Sequence, residues 1–169
     1  MLELRILENV KNNERVLDIG AGDLSLARRL VEKGAAVTAI DKRNPDIIPS
    51  GVTFYLGDAQ EMQQFISKEE LFDVIIALNV IQFLEKEYVL TEMIPELVRR
   101  MTHNGKIYIE TFSAPPVPSF SAGFLKSFYI MEDFSYFNLK YQATGKEQIK
   151  EADQNVRMFS FTDVIIAND

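Results

Sequence analysis

Residues 15–19, Arg-Val-Leu-Asp-Ile, form a short apolar run with one acid in it, and the run stops abruptly at Gly20-Ala21-Gly22. From Leu24 the apolar spacing becomes helical. Leu24, Ala27, Leu30 and Val31 fall on one face and Arg28, Arg29 and Glu32 on the other, until Gly34 supplies a C-terminal stop. A buried strand, a tight glycine turn and a helix, in that order, confine the chain to the α/β class.

The remaining pattern alternates in the same way. Leu2, Leu4, Ile6, Leu7 and Val10 suggest a lead-in helix. Residues 36–40 read as a second strand ending at Asp41, and residues 52–56 as a third ending at Gly57-Asp58, with too little chain between them for a full helix. A short helix over 59–68 leads into residues 72–78, the most apolar strand, whose continuous hydrophobicity suits a position covered on both faces. Residues 85–101 have a helical pattern that Pro95 must kink or restart. Asn104-Gly105 turns the chain into a fifth strand, 106–111. A loop with Pro115, Pro116 and Pro118 follows, then a short aromatic helix over 124–134. Two final strands, 136–142 and 157–167, are expected around a polar loop whose acidic stretch, 147–153, reads as a solvated turn. The expectation is a Rossmann-like, doubly wound, mostly parallel sheet with helices on both faces and a C-terminal antiparallel hairpin.

Composition narrows the chemistry. At 169 residues the chain fits a single domain, residues 1–169, which buries roughly 70% of its unfolded surface. No run approaches the ~18 apolar residues of a membrane span. Glu3, Arg5 and Glu8 interrupt the first ten residues, unlike a secretory signal, so a cytoplasmic protein is expected. There are no cysteines, which removes disulfides, thiolate metal sites and cysteine nucleophiles. A formal net charge of −7 argues against a nucleic-acid partner and favours a small-molecule substrate.

In an open parallel sheet, ligands bind beyond the C-terminal strand ends, beside the point where strand order reverses. Those ends read Asp18 to Gly22, Asp41, Asp58-Ala59, Asn79 and Glu110. Gly20 and Gly22 let the backbone approach a ligand and turn sharply into a helix N-terminus. Asp41, about 20 residues downstream, is placed to accept both hydroxyls of a ribose. Asp58 can accept from an adenine amino group while the Ala59 N–H meets the ring. The pattern suits a nucleoside with a cationic tail.

These segments resemble class I S-adenosylmethionine-dependent methyltransferases. Residues 16–22 (Val-Leu-Asp-Ile-Gly-Ala-Gly) look like the family's first motif, Ala39-Ile40-Asp41 like its ribose-binding acid, and Gly57-Asp58-Ala59 like its adenine-binding motif. Residues 72–84 are similar to its fourth-strand signature and residues 104–107 to its fifth-strand entry. The length and the aromatic segment 124–141 are most similar to the tellurite-resistance-type and other small-molecule enzymes. The resemblance implies a seven-stranded sheet whose last strand is reversed, with S-adenosylmethionine bound by the half at about 14–84 and substrate by the half at about 85–169. It implies cofactor contacts from Asp18, Gly20, Ala21, Gly22, Asp41, Lys42, Asp58, Ala59, Asn79 and Val80. Gln82, Glu110, Phe112 and Phe120 are the candidates on the substrate side. It further implies direct in-line methyl transfer to a small molecule, with no metal and no covalent intermediate. Two departures stand out: Leu24 occupies the place of a common third glycine, and the helix between strands two and three is missing.

Other readings compete. A nicotinamide-dependent oxidoreductase would use the same glycines and Asp41, but its third glycine position holds Ser25 and Asp58 would have no role. A protein that keeps the cofactor pocket without catalysis is the other alternative. His103, the only histidine, falls at the N-terminal end of the fifth strand, far from the expected site. Ser113-Ala114-Pro115-Pro116 echoes a motif of amino-methylating DNA enzymes but follows the wrong strand; a rigid substrate-side loop is expected there, with Phe112, Phe120 and Phe124 as pocket walls or core.

Overall fold

A computed structural model describes residues 2–113, 125–139, 142–151 and 158–167. Their strands form one sheet in the order β3-β2-β1-β4-β5-β7-β6. The strands are β1 (Arg15–Ile19), β2 (Ala36–Asp41), β3 (Val52–Leu56), β4 (Phe72–Leu78), β5 (Met101–Phe112), β6 (Gln142–Glu151) and β7 (Met158–Ala167). β1 to β5 pair in parallel, whereas β7 runs antiparallel to both β5 and β6. Strand order reverses between β1 and β4, so the crevice beyond their C-terminal ends is the expected ligand position.

Alternation along the strands divides the core. Val16 on β1, Val37 and Ala39 on β2, Val74 and Ile76 on β4 and Tyr108 on β5 pack against α1 (Leu2–Asn9) and α2 (Ser25–Glu32). Leu17, Ile19, Ile75, Ala77, Ile107 and Ile109 face the other way, toward the helical run between β4 and β5. That run has three pieces: α3 (Lys86–Tyr88), a π turn (Val89–Met93) and α4 (Ile94–Arg99). The interruption expected at Pro95 is met by the π turn just ahead of it, since proline gives no N–H to the preceding turn.

Several boundaries differ from expectation. The segment after β3 is a 3-10 helix over Ala59–Gln64 and stops short of residue 68. Leu24 adopts φ +62 and sits ahead of α2, which begins at Ser25. β5 starts at Met101, with four residues opposite a single one on β4 before regular pairing resumes at Lys106. Residues 125–130 are not helical, and a 3-10 helix over Met131–Leu139 replaces the expected strand at 136–142. β6 runs through residues expected to be a polar loop, so the stretch 147–151 is strand and no turn. The absence of a helix between β2 and β3 is as expected.

Candidate functional site

The turn after β1 is built by backbone geometry that few residues tolerate. Gly20 has φ +69, and its N–H donates to the Ile40 carbonyl at 2.8 Å. A Cβ on Gly20 would lie 2.2 Å from Cγ2 of Val80, so the chain after β4 packs directly onto this glycine. Gly22, at φ +61, donates its N–H to Oδ2 of Asp41 at 2.8 Å. Asp23 Oδ1 accepts the Ser25 N–H at 2.9 Å at the start of α2, and that bond holds the Asp23 carboxyl below its usual range.

Beside this turn lies a cavity of about 580 Å³, lined by Asp18, Gly20, Ala21, Asp23, Leu78, Asn79 and Glu110 and by Leu2, Glu3 and Leu4 of α1. Asp18 is only 4% exposed, and its Oδ2 has no hydrogen-bond partner. Burial pushes its carboxyl up to about 7, and the charges of Asp41 and Glu3 push in the same direction. Asn79, at φ +56, donates its backbone N–H to the Glu110 carbonyl at 2.8 Å and its Nδ2 to Glu110 Oε1 at 3.0 Å.

Asp41 is buried and does not line that cavity. Its Oδ2 closes the glycine turn, while its Oδ1 accepts the Arg43 N–H at 2.7 Å and pairs with Arg43 Nε at 3.6 Å. The Gly57 N–H donates to the Asp41 carbonyl at 2.9 Å, which sets Asp58 on the adjacent strand end. Asp58 Oδ1 caps the Gln60 N–H at 2.9 Å, and Asp58 and Ala59 are half-buried outside the cavity lining. Lys42 is exposed.

On the far side of β4, Gln82 is 1% exposed. Its Oε1 accepts from Thr111 Oγ1 at 3.3 Å, and its Nε2 has no partner. The Gln82 carbonyl accepts the N–H groups of Lys126 and Ser127, and the half-buried Phe112 accepts that of Tyr129 at 2.9 Å through its carbonyl. Tyr129 is fully buried, donates its hydroxyl to the Ile81 carbonyl at 3.2 Å, and is pushed up to about 12 by burial. Phe120 and Phe124 lie outside the described residues. His103 is exposed in the irregular start of β5, away from the cavity.

A family model described as a methyltransferase domain matches residues 17–109, the span that holds the glycine turn, Asp41, Asp58 and Asn79. The chain belongs to the methyltransferase-domain family. No curated protein matches this methyltransferase domain by sequence. Among solved structures, TehB from Haemophilus influenzae is 17% identical with a TM-score of 0.77; the match covers 99% of this chain and 61% of that one, so the chain spans about three-fifths of TehB. The 1,6-didemethyltoxoflavin-N1-methyltransferase of Burkholderia thailandensis, solved with 1,6-didemethyltoxoflavin and S-adenosylhomocysteine, is 16% identical with a TM-score of 0.74 over 99% of this chain and 76% of that one. The N-methyltransferase NodS from Bradyrhizobium japonicum, in complex with S-adenosylhomocysteine, is 16% identical with a TM-score of 0.70 over 99% and 84%. The class I methyltransferase fold is therefore shown for this chain, and S-adenosylmethionine is the cofactor that goes with such a domain.

The residues of the methyltransferase domain fit that group. Asp18, whose Oδ2 is buried without a hydrogen-bond partner, lines the cavity, and the glycine turn beside it has no space for a side chain at Gly20. Leu2, Glu3 and Leu4 had no signal in the sequence, because nothing in an amphipathic octapeptide says which strand ends it will cover.

Proposed function

We propose that this domain transfers the methyl group of S-adenosylmethionine to a small-molecule acceptor by direct in-line displacement. The observation that carries the reading is the cavity at the β1/β4 reversal, where the glycine turn and the unpartnered Oδ2 of Asp18 meet. Asp18, Gly20 to Gly22 and Asn79 hold the methionine end, Asp41 the ribose hydroxyls, and Asp58 with the Ala59 N–H the adenine. Val80 packs against Gly20 and fixes how closely the chain after β4 approaches. When bound, the cofactor supplies a methyl group already activated by its sulfonium. The protein is left with orientation, which can be worth roughly 7–11 kcal/mol, and with exclusion of water. Small-molecule chemistry is supported by the fold-level likeness to an enzyme of 1,6-didemethyltoxoflavin.

Isothermal calorimetry with S-adenosylhomocysteine tests the reading: saturable binding is expected, and no detectable heat from folded protein would overturn it. Asp41→Ala should weaken that binding by about tenfold or more, since it removes a charged acceptor and also unties Gly22.

A further inference from the structure

We infer that Tyr129 is a positioning residue for the cofactor: with Lys126 and Ser127 it braces, from behind, the turn after β4 that meets the glycine turn. The inference rests on the methyltransferase reading. The position of this turn matters to the site, because Asn79 lines the cavity and Val80 packs onto Gly20, where an added Cβ would lie 2.2 Å from Val80 Cγ2. The turn does little to hold itself. Asn79 opens it at φ +56, a left-handed conformation that asparagine tolerates but does not keep unaided. Its regular part is a three-residue 3-10 helix, Ile81–Phe83, with no side-chain cap. Glu110 ties the turn down at Asn79, its first residue, through two hydrogen bonds.

The restraint on the rest comes from a distant part of the chain. Lys126 and Ser127 donate their N–H groups to the Gln82 carbonyl at 2.8 and 3.1 Å, and Ser127 Oγ donates to the Leu84 carbonyl at 2.8 Å. The Tyr129 hydroxyl donates to the Ile81 carbonyl at 3.2 Å. Tyr129 is itself fastened to the sheet at both main-chain groups. Its N–H donates to the Phe112 carbonyl of β5 at 2.9 Å, and its carbonyl accepts from Thr162 Oγ1 of β7 at 2.8 Å. Its ring is fully buried, 6.0 Å from that of Phe134 and 5.4 Å from Lys86 Nζ. The phenol therefore passes the position of β5 and β7 to Ile81, one residue from Val80 and two from Asn79. Packing alone would be served by phenylalanine; the buried hydroxyl adds a fixed distance to the turn. A turn that spends more of its time in the binding conformation binds its ligand more tightly by that fraction, because ordering it is then part of folding.

Tyr129→Phe removes only the hydroxyl, and calorimetry of the whole chain with S-adenosylhomocysteine reads the result at a temperature where parent and variant are both folded. The dissociation constant should rise about three- to tenfold, the worth of one hydrogen bond. Hydrogen exchange without ligand should quicken at residues 79–84 by a similar factor. A tyrosine with a purely structural role would lower the urea midpoint and leave affinity and exchange at 79–84 as in the parent, and that outcome overturns the proposal. Ser127→Ala, which unties the Leu84 carbonyl, should move both readings in the same direction. Unchanged affinity and exchange there overturn the brace even where Tyr129→Phe does not fold. Absence of binding by the folded parent overturns the methyltransferase reading and the cofactor role of Tyr129 with it, whereas equal binding by parent and variants overturns the positioning role alone.

Discussion

A buried carboxyl whose proton affinity has risen makes the protein's stability depend on pH in a definite direction. Asp18 titrates near 7 in the folded chain and near 3.8 when unfolded, so between these values the folded state keeps a proton that the unfolded state has lost. Stability from this group is complete below the lower value and drains away as pH rises toward 7. Asp18→Asn should therefore gain on the parent between about pH 4 and pH 7 in thermal melts without ligand, while binding S-adenosylhomocysteine more weakly; parallel melting curves across that range would contradict the burial argument. Gly20 offers a test of a different kind. Alanine there would take on about 1–2 kcal/mol of left-handed backbone strain and collide with Val80. Denaturant unfolding of Gly20→Ala should show at least that loss, and adding Val80→Ala should return only the part due to the collision. The acids at the strand ends were legible because a turn residue follows each buried run. The inward turn of Asp41 onto Gly22 was not, since no local pattern says which way a carboxylate will rotate.

Elements whose period and punctuation coincide were readable. β1, the glycine turn, β2, β3 and β4 fall where apolar runs end at Gly, Asp or Asn. The C-terminal third was misread for identifiable reasons. Residues 131–139 are rich in aromatics that favour strands in isolation, yet they form a 3-10 helix in which Phe134 is fully buried beside Tyr129. β6 is polar and charged because it is an edge strand paired only with β7, and charge on an edge discourages further pairing. Another element-scale feature is Arg100, which follows α4 with its side chain 1% exposed. It donates to Glu96 Oε1 at 2.9 Å and to the Ser67 carbonyl at 2.6 Å, pinning the chain before β4 to the end of α4. Arg100→Met should cost about 2–4 kcal/mol in urea unfolding, because the Ser67 carbonyl and Glu96 lose their donor. Lysine should rescue little of it, lacking the planar fork.

At the scale of the whole molecule, the reversed β7 fits the class I fold, and it lets β5 be covered on its far side without another crossover. No helix among the described residues is long and apolar enough to cross a membrane. The two ends of the described chain also reach opposite rims of the sheet. Leu2 to Leu4 border the cavity, while Ala167 stands opposite Lys106, where regular pairing of β5 with β4 begins. Peptide added ahead of Leu2 would emerge beside the cavity proposed for the cofactor, whereas peptide added after Ala167 would leave from the opposite rim of the sheet. A short purification tag should therefore slow S-adenosylhomocysteine association in stopped-flow measurements when fused at the amino end and leave it unchanged at the carboxyl end.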